Sequence, residues 1–128
     1  MSNDQYLLWW MAAFAATQII EAPIYQRFCV DGRWWAALQP SAITHPLLWF
    51  VLTPLWHQVR WPLADVLGRG SPETLENPAI WLMEIGIVIF EGWWLRRLGG
   101  TNPWRWALIG NAASYGFGEL LYSVLDMN

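Results

Sequence analysis

Residues 21–45, EAPIYQRFCVDGRWWAALQPSAITH, and residues 91–115, EGWWLRRLGGTNPWRWALIGNAASY, read as one hairpin written twice. The offset is 70 residues, with no gap. Glu21 falls on Glu91, Arg27 on Arg97, Trp34 on Trp104, and Ala37-Leu38 on Ala107-Leu108. The polar trio Ser41, Thr44 and His45 falls on Asn111, Ser114 and Tyr115. Each half is an apolar helix carrying a Glu, an arginine-bearing turn, then a helix carrying a small polar patch. Ionisable groups inside apolar helices are costly, so one at the same place in both halves points to a shared site at the repeat interface.

Composition sets the solvent. The chain has 128 residues, enough for one domain, of which 55% are hydrophobic and 13% charged. A soluble domain carries about 25% charged residues. All seven basic residues are Arg, and there are twelve Trp, a combination suited to a bilayer–water boundary. The apolar stretches run nearly all the way round each helix, where a small soluble bundle needs one apolar face. The expected fold is all-α: an integral membrane four-helix bundle made of two tandem-repeated transmembrane hairpins. A hydrocarbon core of ~30 Å takes about 20 helical residues. Spans are expected at about residues 6–28, 34–56, 78–99 and 103–125. This gives one membrane domain over 1–128, with repeats at about 6–56 and 78–125. The linker, about 57–77, holds a candidate membrane-surface helix over 60–68. Asn77-Pro78 and Asn102-Pro103 read as helix starts, and Gly99-Gly100 as a stop.

The short turns hold Arg27, Arg33, Arg96, Arg97 and Arg105. The other side mixes Arg60 and Arg69 with Asp4, Asp65, Glu73, Glu76 and Asp126. The positive-inside rule then places the turns in the cytoplasm and both termini outside, in a membrane such as the bacterial inner membrane. The first span has no positive segment or cleavage site before it, so it is expected to be retained. A net charge of −3 and the lack of basic runs exclude nucleic acid as an expected partner. One cysteine, Cys29, forms no internal disulfide and no cysteine metal cage.

The candidate ligand or ion site comprises Glu21, Glu91, Ser41, Thr44, His45, Asn111 and Ser114, with Glu84 and Glu119 nearer the outer side. Positions three and four apart share a helix face, which gathers each polar trio on one side of its helix. Glu84 matches Phe14, Glu119 matches Trp49, and His45 matches Tyr115, so the halves are not equivalent. The set forms a polar track suited to a proton or cation. A His nitrogen with Glu oxygens would also suit iron, manganese or zinc. Two structural readings compete with this: hydrogen-bonded glue between helices, and snorkelling of Glu21 and Glu91 toward Arg27 and Arg97. Pro46 is expected to kink the second span beside His45. Ala12/Ala16 and Ala112/Gly116 have the small-xxx-small spacing of close helix contacts. The paired tryptophans suit an interfacial belt, or a face for other membrane subunits or a second copy. No haem, quinone or other cofactor is specified, and no enzyme motif occurs. The expected function is proton, cation or small-ligand binding or transport. The alternative is a non-catalytic accessory subunit of a larger respiratory or photosynthetic membrane complex.

Overall fold

The computed structural model describes residues 2–126. Met1, Met127, Asn128 and the side chains of Leu125 and Asp126 lie outside that description, so the expectations placed on the extreme termini and on Asp126 fall there too. Among the described residues every regular element is helical. Helix α1 spans Asn3–Phe28, α2 Trp34–Leu47, α3 Thr53–Val66, α4 Glu73–Arg97 and α5 Pro103–Asp126. A π-helical turn, Leu48–Leu52, joins α2 to α3 without a break. The molecule is therefore four rods, the second running from residue 34 to 66, roughly 50 Å long at helical rise.

Helix ends follow local chemistry. Ser2 and Gln5 form a capping box at the start of α1, each satisfying the other's backbone N–H. Pro103 opens α5 at its first position, as Asn102-Pro103 predicts. Gly99 ends α4 with φ +79°, a conformation that favours glycine. Helix α4 differs from expectation: it begins at Glu73, not after Asn77-Pro78. Pro78 sits early enough that its missing N–H leaves only the carbonyl of Thr74 without an intrahelical donor. Glu73 and Glu76 in the first turn favour the positive end of the helix dipole.

The second rod also departs from expectation. Its helix does not stop near Trp56: it runs on through residues 57–66, so the candidate helix over 60–68 is the continuation of the second span and not a separate element. Pro54 explains the π turn. Thr53 N–H bonds to Leu48 C=O, five residues back. In that register the next donor would come from Pro54, which has none, so Trp49 C=O is left free. Tyr6 Oη of α1 donates to that carbonyl at 2.7 Å. A cross-helix bond thus closes the gap that proline opens.

The rods form a ring in the order α1, α2, α4, α5. Both short turns lie at one end and are tied together. Thr101 N–H donates to Cys29 C=O at 2.8 Å. Arg33 Nη2 donates to Leu98 C=O at 2.7 Å, and its Nε to Val30 C=O at 3.0 Å. The approach is close: a Cβ on Gly100 would lie 2.7 Å from Cys29 Sγ and 2.8 Å from Leu95 C=O.

The distribution of polarity is inverted relative to a water-soluble bundle. The interior holds Ala22, Ala36, Ala37, Ala107, Tyr25 and Leu95, together with Glu21, Glu91, Ser41, Thr44 and Asn111. The outside carries large apolar side chains, with Leu8 65%, Ile19 73% and Leu82 69% exposed. Helices α1 and α4 are long and apolar enough to cross a membrane, and both are exposed along most of that length. The other two rods, expected as spans, do not meet that measure. Helix α2 alone has 14 residues, although its rod continues through the π turn, and α5 gives ten of its 24 residues to Trp, Tyr, Gly, Ser and Asn. The small-xxx-small pairs do not mark close contacts. Ala12 and Ala112 face outward, and nothing lies within 4 Å of a Cβ built on Gly116. Close approach instead occurs at Gly92 beneath the Trp104 ring and at Gly110 beneath Tyr25.

Candidate functional site

Glu21 on α1 and Glu91 on α4 are each 1% exposed. Every carboxylate oxygen of the pair accepts a hydrogen bond. Ser41 Oγ donates to Glu21 Oε2, and Ser114 Oγ donates to Glu21 Oε1. Thr44 Oγ1 donates to Glu91 Oε1 at 2.5 Å, and Asn111 Nδ2 to Glu91 Oε2 at 2.8 Å. These four bonds fall into two pairs at the 70-residue offset. Glu21–Ser41 matches Glu91–Asn111, and Glu21–Ser114 matches Glu91–Thr44. Both bonds of the first pair lie within a hairpin, and both bonds of the second cross between hairpins. The layer therefore joins all four rods.

Tyr25 breaks this equivalence. Its hydroxyl donates to Glu91 Oε2 at 2.7 Å, while the matching position is Leu95. It was not among the expected site residues. The available signal was its four-residue spacing from Glu21, which puts both on one face of α1. The close approach of Gly110 seats the ring: a Cβ there would lie 2.7 Å from both Cε1 and Oη of Tyr25.

The donor types set what the layer can hold. Both oxygens of Glu21 face hydroxyl groups, which rotate to donate or accept. Glu91 Oε2 faces the amide N–H of Asn111, a fixed donor. Glu21 can thus carry a proton without losing a partner, whereas Glu91 Oε2 is arranged to accept. Neither carboxyl snorkels to an arginine. Arg27 lies over the Phe28 ring and Arg97 over the Trp93 ring, and the ion pair among the described residues is Arg60–Glu76 at 2.9 Å.

A cavity of about 110 Å³ adjoins the pair and is walled by Glu21, Glu91, Thr44, Asn111 and Ser114 together with His45, Glu84, Thr17 and Tyr115. It is polar and roomy enough for water. His45 stacks on Trp49 and meets Trp10 and Phe14 at a tilt, and its buried Nδ1 has no partner. Leu48, the first residue of the π turn, also lines the cavity. Of the expected set, Glu119 is the exposed member: it lies on α5 off the cavity wall, beside the hydroxyl of Tyr115, which lines that wall. No group of three or more His, Cys, Asp or Glu side chains placed to hold a metal ion occurs among the described residues.

The chain matches no family, no curated protein and no solved structure.

Proposed function

We propose that this chain is an integral membrane protein, built from two duplicated hairpins, that binds and moves a proton or small cation at the Glu21–Glu91 pair. The observation that carries this is the pair itself: two carboxyl groups, each 1% exposed, without an arginine partner and beside a polar cavity that holds a third carboxyl, Glu84. Two carboxyls in a buried layer with no cationic side chain balance their charge by taking up a proton or a cation. The hydroxyls of Ser41, Thr44, Ser114 and Tyr25 can reverse their hydrogen bonds as that charge comes and goes.

The membrane assignment is supported by inverted polarity. Small and polar side chains inside with large apolar ones outside suit a lipid solvent, where burial of apolar surface drives nothing. The arginine-bearing turns would face the cytoplasm, in a membrane such as the bacterial inner membrane. The exposed tryptophans Trp9, Trp34, Trp35, Trp93 and Trp104 suit its boundary.

The test is flux into lipid vesicles containing the purified protein, read with an internal pH dye and with cation-sensitive dyes. Wild type is expected to conduct. Glu91→Gln and Glu21→Gln are expected to abolish flux while leaving the helical spectrum unchanged. Equal flux in wild type and both variants would overturn the assignment. A second reading, an accessory subunit of a larger membrane complex, draws on the same apolar exterior. Native mass spectrometry of the protein taken from its own membrane in mild detergent separates the two. Stable association with other polypeptides favours the accessory role, and a monomer or homo-oligomer favours the first.

A further inference from the structure

The carboxylate layer has an apolar neighbour. A second cavity, of about 370 Å³, lies between α4 and α5. Ile85, Val88, Ile89 and Leu108 form its apolar wall, and Trp81 and Tyr115 add aromatic rings whose centroids are 5.8 Å apart. Its inner end is Glu84, Asn111 and Tyr115, which also line the polar cavity beside Glu21 and Glu91. The two spaces thus share a wall. The size falls in the range of small-molecule pockets, roughly 300–1,000 Å³.

We infer that this pocket takes the apolar body of a lipophilic organic cation, with its charged end directed at Glu84 and the carboxylate layer. The inference rests on the functional reading above and names its substrate class. The charge follows from the wall: the one ionisable side chain lining the apolar pocket, apart from the Tyr115 phenol, is a carboxyl, and two more carboxyls stand behind it. Trp81 and Tyr115 offer ring faces that attract a cation. The pocket is entered from the side, between α4 and α5, which suits a solute dissolved in the bilayer.

The fold contains its own control. A cavity of about 430 Å³ lies between α2 and α4, lined by Leu47, Leu82, Met83, Ile87 and Phe90 among others, with Thr44 as its polar residue. It is as large and as apolar, but no ionisable group closes it. A lipid tail, which has no charge to satisfy, would fill either space. A cation distinguishes them.

The experiment is saturable binding of tetraphenylphosphonium to the full-length protein in detergent, by equilibrium dialysis and calorimetry. Wild type is expected to bind it and to ignore uncharged triphenylmethane. Glu84→Gln is expected to weaken binding by about tenfold or more, since it removes a charged partner. Ala112→Trp and, independently, Ile85→Trp are expected to block the pocket and abolish binding. Gly86→Leu, which extends into the control cavity where a Cβ meets nothing within 4 Å, is expected to leave binding unchanged. Absence of saturable binding, equal binding of the uncharged probe, or binding that survives both blocking variants would overturn the inference. The two readings fail separately. Vesicle flux that depends on Glu21 and Glu91 without phosphonium binding sinks the substrate class alone. Phosphonium binding lost in Glu84→Gln, without flux, leaves the pocket standing and sinks the transport reading.

Discussion

Gly110→Ala tests the geometry of the site without touching a polar group. The added Cβ would lie 2.7 Å from both Cε1 and Oη of Tyr25. Tyr25 is fully buried, so its ring has no free space to enter and either the ring or α5 must shift. Overpacking of this kind costs about 1–3 kcal/mol. A displaced ring also withdraws the hydroxyl from Glu91 Oε2. The hydroxyl's share is gauged by Tyr25→Phe, which keeps the ring and deletes both the bond to Glu91 and the longer one accepted from Asn111 Nδ2 at 3.3 Å. Glu91 Oε2 retains Asn111 at 2.8 Å, so no acceptor is orphaned and the loss lies near the low end, about 1 kcal/mol. Gly110→Ala should therefore cost about 2–4 kcal/mol, its overpacking and hydrogen-bond components together. The double variant should cost less than the sum of the two by up to about 1 kcal/mol, because the bond can be lost only once. Reversible unfolding in mixed micelles reads each value. A Gly110→Ala protein as stable as wild type, or less perturbed than Tyr25→Phe, would refute the packing of Tyr25 against α5 and its role in the layer.

Arg33→Lys keeps the positive charge of the turn but loses the fork that reaches Val30 and Leu98, so stability should fall by about 1–2 kcal/mol with no change in membrane orientation, read by unfolding and by protease accessibility. Tyr6→Phe leaves the Trp49 carbonyl of the π turn without its donor, and should cost about 1 kcal/mol in the same unfolding assay, with an unchanged value counting against that bond. Burial and the Asp31 charge push the Cys29 thiol up to about 11, from an ordinary value of 9.0. Maleimide labelling of the folded protein should therefore be slow at pH 7.5 and accelerate toward pH 10, whereas the unfolded chain labels at once. Between pH 9 and 11 the folded state holds this proton more tightly than the unfolded one, so this group makes stability fall as pH rises through that window.

The layer around Glu21 and Glu91 was legible because hairpin geometry is simple. A residue near the end of one helix and one near the start of the next lie at one depth, so Ser41 and Asn111 meet the Glu of their own hairpin. The cross-hairpin bonds, from Ser114 and Thr44, required only that the two halves face each other. Tyr25 was not legible by comparing halves, because its counterpart Leu95 is apolar and the comparison rewards likeness. The continuity of the second span with the candidate helix over 60–68, as one rod ending at Val66, is not legible for a different reason. His57, Gln58 and Arg60 mark where an apolar segment ends, but a helix continues through polar residues as readily as apolar ones. The π turn needed two distant facts at once, the missing N–H of Pro54 and a hydroxyl on α1 to replace it. Glu119 is placed on the track by depth, and its four-residue spacing from Tyr115 on α5 sets it beside that residue at the rim of the cavity.

The bonds between the two turns, Thr101 to Cys29 and Arg33 to Leu98, have a mechanical consequence. They clasp the hairpins at one end, and the chain between Val66 and Glu73, with the Arg60–Glu76 ion pair at 2.9 Å, clasps them at the other. The carboxylate layer lies between the two clasps, so neither end of the bundle is free to splay.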